Sequence, residues 1–91
     1  MRIVNAMNTW NPALHVLEGM GFALQLRLDP ESEGIECWHA SKGGDVFESD
    51  DPVSLLGLCM IGESRGEDWR AKVEEENLVI ALLERASETA E

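Results

Sequence analysis

The sequence predicts an α+β fold: a short helix, a three-stranded antiparallel β-meander, then two helices packed on one face. Phe22-Ala23-Leu24-Gln25-Leu26-Arg27-Leu28 alternates apolar and polar or small residues without a break, the two-residue period of a strand. Lys42-Gly43-Gly44-Asp45 sets two glycines between strand-like runs, and glycine supplies the positive φ that a two-residue hairpin requires. Asn11-Pro12 and Asp51-Pro52 each place a capping residue before a proline, which marks a helix start.

Taken in order, residues 1–6 are either an extra strand or a frayed tail, and Met7 could serve as an alternative initiator. The first helix covers about residues 12–20, with Leu14 and Leu17 on one face and Val16 and Met20 beside them, ended by Gly19 and Gly21. In the first strand Phe22, Leu24, Leu26 and Leu28 face the core. Asp29 to Gly34 is a turn by composition. The second strand, Ile35 to Ser41, sets Ile35, Cys37 and His39 on one face and Glu36, Trp38 and Ala40 on the other, with neither face clearly the buried one. Val46 to Ser49 is the third strand.

From Val53 to Ile61 the chain is almost wholly apolar, so the second helix is expected to be central and buried, stopped by Gly66. Gly57 within it implies close approach of a neighbouring backbone. A third helix is expected from Glu67-Asp68, whose acids suit the positive end of a helix dipole, with Trp69, Val73 and Ile80 on a broad face. Leu78-Val79-Ile80-Ala81-Leu82-Leu83 wraps that helix with apolar side chains. Part of this surface should meet the second helix, and Leu78, Val79, Leu82 and Leu83 are candidates for a self-interface in a homodimer. Residues 87–91 should fray.

Ninety-one residues form one domain, 1–91, able to bury roughly 9,000 Å² of about 14,600 Å² of unfolded surface. With 44% apolar residues the chain is not disordered by composition. Its 18 acids against 7 bases give a net charge of −11, which excludes direct binding to nucleic-acid phosphate or anionic membrane. A basic protein surface is the favoured partner, and a purely solubilising role for the charge is the competing account. No apolar run reaches the ~18 residues of a membrane span, and Met1 to Ala6 lacks the pattern of a signal peptide, so a cytoplasmic protein with reduced Cys37 and Cys59 is expected.

Chemistry finds little support in the residues. Asp29-x-Glu31-x-Glu33-Gly34 echoes half of a calcium loop, but Ala40 stands where the bidentate glutamate belongs. Zinc would need His15, Cys37, His39 and Cys59 to converge without the usual spacing; a core histidine beside a buried thiol is the better reading. Cys37 and His39 are also the only candidates for a nucleophile and base, and an acidic neighbourhood disfavours the thiolate. The expectation is therefore a binding protein without catalytic residues, metal or cofactor. Its partner-binding candidates are the acids Asp29, Glu31, Glu33, Glu36, Asp45, Glu48, Asp50 and Asp51, with Trp38 as an interfacial anchor.

The order helix, three strands, helix is that of the double-stranded-RNA-binding domain, but Ser49-Asp50-Asp51-Pro52 stands where that family needs basic residues, so RNA binding is rejected. Asp51-Pro52-Val53-Ser54-Leu55-Leu56-Gly57-Leu58, followed by Glu63-Ser64-Arg65-Gly66-Glu67-Asp68-Trp69, resembles segments of small acidic bacterial immunity-type and uncharacterised proteins. Small phage anti-CRISPR inhibitors are similar in size, charge and element order. Both resemblances imply stoichiometric inhibitors that present acids to a basic surface.

Overall fold

In a computed structural model that describes residues 1–89, a 3-10 turn at Met7–Thr9 leads into helix α1 (Trp10–Gly19). Strands β1 (Ala23–Leu28), β2 (Ile35–Lys42) and β3 (Asp45–Ser49) follow, then helices α2 (Pro52–Arg65) and α3 (Leu78–Thr89). The strands form one antiparallel sheet in the order β1-β2-β3. This is the α+β order read from the sequence.

Residues 1–6 carry neither helix nor strand. Helix α1 starts earlier than Asn11-Pro12 implies: the Met7–Thr9 turn feeds it directly, Thr9 occupies the cap position but its hydroxyl donates back to the Ala6 carbonyl instead of capping the helix, and Asn11 lies inside the first turn. Pro12 is tolerated there because the first four N–H groups of a helix have no intrahelical acceptor. The start of α2 is fully capped: Asp51 Oδ1 accepts from Ser54 N at 2.9 Å and Oδ2 from Ser54 Oγ at 2.7 Å, with Pro52 at the first helical position. Between β2 and β3, Gly43 and Gly44 take φ of 58° and 89°, both in the left-handed region that the hairpin demands.

Leu17, Phe22, Ala40, Leu55 and Cys59 form the core, surrounded by half-buried Met20, Leu24, Trp38, Phe47 and Leu56. Helix α1 packs on β1, α2 packs on β2 and β3, and the two helices pack on each other. The face of β2 carrying Trp38 and Ala40 is thus the covered one. The lysine after it ties the layers: Lys42 Nζ donates to the Met20 carbonyl at 2.8 Å and to Glu63 Oε1 at 3.0 Å, joining the hairpin to the end of α1 and to α2.

The packing of the last two helices departs from expectation. The pair that covers the sheet is α1 and α2; among the described residues α3 makes no extended contact with any other element. Glu67-Asp68 belongs to a 3-10 turn at Gly66–Asp68, and α3 starts only at Leu78, where Asn77 Oδ1 accepts from Ile80 N at 3.1 Å. Trp69, Val73 and Ile80 therefore share no helix face. The intervening segment is held by Arg65, which pairs with the Glu75 carboxylate and donates to the Arg70 carbonyl at 3.2 Å, while Glu75 Oε1 accepts from Lys72 N at 2.8 Å. Helix α3 continues through Ser87 to Thr89, further than the expected fraying; the remainder of that expectation, at Ala90 and Glu91, lies outside the described residues.

Helix α2 is covered on one side only. Pro52, Leu55 and Cys59 are buried, while Leu58, Met60 and Ile61 are exposed. Gly57 faces open space, contrary to the close approach expected there. The close approach occurs at Gly62, where an added Cβ would lie 2.6 Å from Cζ of Phe47. The Phe47 ring is itself set edge-on to Phe22, 5.8 Å between centroids.

These contacts set two expectations. Gly62→Ala should lose about 1–3 kcal/mol through overpacking, whereas Gly57→Ala should gain up to about 1 kcal/mol of helix propensity. Urea unfolding of both variants checks this, and a Gly62→Ala protein as stable as wild type would contradict the Phe47 contact. Separately, the hydrogen bond from Arg65, then that from Lys72 N–H, holds the Glu75 carboxyl down at about 2, against an ordinary 4.5. A depressed carboxylate stabilises the fold above its unfolded value, so the Arg65–Glu75 contribution should be complete above about 4.5 and fade as pH falls towards about 2. An NMR titration of the Glu75 carboxyl should give a midpoint near 2, returning to the ordinary range in Arg65→Met.

Candidate functional site

Alternation along β2 sends Cys37 and His39 to the open face of the sheet, opposite the helices. They are therefore not the core histidine and buried thiol expected from the sequence. Cross-strand pairing brings Arg27 of β1 opposite Cys37 and Glu48 of β3 opposite His39. Glu48 is the hub: Cys37 Sγ donates to its Oε2 at 3.4 Å, Arg27 Nη1 lies 3.8 Å from Oε1, and His39 Nδ1 lies 3.7 Å from Oε1. That last distance is too long for a hydrogen bond, and the His39 side chain, 12% exposed, leaves Nδ1 unpaired.

The cluster is poorly suited to nucleophilic chemistry. Partial burial, then the hydrogen bond and charge of Glu48, push the Cys37 thiol up, which keeps the sulfur protonated. Cys59 sits in the core on the other side of the sheet, and His15 is on the exposed side of α1 near Glu18, so the four zinc candidates do not converge. Among the described residues no three His, Cys, Asp or Glu side chains could hold a metal ion.

A second feature lies at the far end of the sheet. The pairing shifts between Arg27 and Leu28, so that Leu28 meets Ile35 while Arg27 meets Cys37. Because paired side chains share a face, this bulge moves Ile35 away from Cys37 and onto the side of Leu28. At this end of the sheet Leu26, Leu28 and Ile35 are exposed. Around the strip the β1–β2 turn carries Asp29, Glu31 and Glu33, the start of β2 carries Glu36, and the end of β3 brings Asp50 and Asp51 to the same end of the sheet. No lysine or arginine occurs between residues 28 and 41.

The acids proposed for partner binding are not equivalent. Asp29 Oδ1 accepts from Glu31 N at 2.9 Å and shapes the turn, and Asp51 caps α2, which lowers its carboxyl through the bonds from Ser54. Glu48 is engaged on the open face, and Asp45 lies at the opposite end, beside the hairpin. Glu31, Glu33, Glu36 and Asp50 remain exposed at the acidic end. Trp38 is not an outward anchor: it lies on the packed face, edge-on to Trp10 at 5.8 Å, with Nε1 buried and unpaired. The apolar strip was missed because its side chains read as core; the bulge that sets Ile35 with Leu28 leaves no mark in composition.

No family model, curated protein or solved structure matches the chain. Within residues 51–58 and 63–69 several side chains have folding roles: Asp51 caps, Leu55 fills the core, Arg65 binds Glu75, and Gly66 takes a φ of 71°. No helix among the described residues is long and apolar enough to cross a membrane.

The thiols provide a direct check. Burial, reinforced by Glu63, pushes the Cys59 thiol up to about 11. In the native protein at neutral pH, Cys59 should not react with a disulfide reagent before unfolding, and Cys37 should react more slowly than it does in urea. Glu48→Gln should speed Cys37 alone. Fast native modification of both thiols would contradict this placement.

Proposed function

We propose that this protein is a non-enzymatic binding module whose acidic sheet end meets a basic, partly apolar protein surface. The carrying observation is the exposed Leu26–Leu28–Ile35 strip flanked by Glu31, Glu33, Glu36 and Asp50. An exposed apolar patch with a polar border is the usual form of a protein interface: the apolar part supplies desolvation energy and the carboxylates steer a cationic partner. The protonated Cys37 thiol supports a non-catalytic role.

A stoichiometric inhibitor or immunity protein, including one that occupies a nucleic-acid-binding surface as an anionic mimic, is the finer form of this reading. Its support is the net charge of −11, which repels phosphate and attracts surfaces built to bind phosphate. A cytoplasmic setting fits two free thiols.

Affinity capture at low salt, followed by mass spectrometry, should recover a basic protein. Its association rate with the purified chain should fall steeply as salt rises, and at least about tenfold in the charge-reversed variant Glu31→Lys/Glu33→Lys/Glu36→Lys. Recovery of no basic protein, or binding indifferent to both salt and charge reversal, would sink the proposal.

A further inference from the structure

Two apolar surfaces of this chain are left open, and they fit each other's chemistry. On α3, Leu78, Val79, Leu82 and Leu83 recur at the spacing of one helix face and are 57% to 70% exposed. Beside the unpaired outer edge of β3, a groove of about 250 Å³ is lined by residues including Val46, Leu58, Ile61 and Trp69. All four of these side chains are exposed.

We propose that a second copy of this chain fills the groove with its α3, and that the exchange is reciprocal. The first support is area. The chain exposes 7348 Å², whereas a compact monomer of its 10.1 kDa should expose about 5,300 Å². The surplus of about 2,000 Å² per chain exceeds the roughly 800 Å² per partner that a stable interface needs. The radius of gyration agrees: 16.5 Å, against about 12 Å for a compact domain of this length.

The second support is position. Arg65 binds the Glu75 carboxylate and the Arg70 carbonyl, so the segment between α2 and α3 is held rather than slack. Among the described residues α3 makes no extended contact with α2 or β3, the elements that supply most of the groove's lining. A two-fold exchange satisfies both surfaces at once, since each copy offers the same helix and the same groove.

The exchange does not depend on the acidic end, and salt separates the two. Copies of charge −11 repel, so added salt should strengthen self-association, the reverse of its effect on a basic partner. The test is light scattering and small-angle X-ray scattering on the full chain over a dilution series. The expected mass is twice that of one chain. Leu82→Glu, on a helix remote from the core, and Ile61→Glu, in the groove, should each weaken dimerisation at least about tenfold. Mixing the two variants should restore a dimer, because one helix–groove pair is then intact. A single-chain mass at the highest concentration overturns the proposal, whether or not the radius of gyration contracts to about 12 Å by closure within one chain. An Ile61→Glu protein that dimerises as tightly as wild type overturns it as well.

Discussion

The small side chain of Ala40, at the centre of the middle strand, is the constraint on which the rest of the molecule depends. It is fully buried and flanked across the sheet by Leu24 and Phe47. An alanine there leaves room for Leu17 of α1 and for Leu55 and Cys59 of α2 to close on the sheet in one cluster. Choosing that face also decides the other. Once Ala40 points inward, Trp38 must follow it, and Cys37 and His39 must point out.

So few buried residues leave much of the molecule uncovered. About half of the unfolded chain's surface stays exposed, more than the two-fifths that scaling alone would leave. Leu26, Leu28 and Ile35 stay exposed at one end of the sheet, and among the described residues α3 makes no extended contact with any other element. Charge alone accounts for solubility, so apolar surface of this extent is what the two proposed interfaces rest on.

The acidity serves two ends. Several carboxylates are structural: Asp29 forms its turn, Asp51 caps α2, Glu63 holds Lys42, and Glu75 fastens the segment before α3. Of the others, Glu31, Glu33, Glu36 and Asp50 lie where the sheet ends, Glu67, Asp68, Glu74 and Glu76 fall between α2 and α3, and the rest are spread along the chain. Net charge by itself cannot separate these groups, because a capping aspartate and a steering aspartate contribute equally to the sum.

Local physics was enough for the strands, the Gly43–Gly44 hairpin, the Asp51-Pro52 cap and the stop at Gly66, because alternation, positive φ and capping act within a few residues. The run at Leu78 to Leu83 was likewise visible as more apolar surface than one core face requires. Tertiary structure alone decided which face of β2 is covered, since Cys37-Trp38-His39-Ala40 offers plausible core residues to both sides. It also decided that Ile35 sides with Leu28, that the tight glycine is Gly62 and not Gly57, and that Arg65 reaches Glu75 across the turn. Each of these depends on a neighbour brought close by the fold, and spacing along the chain carries no information about that neighbour's distance.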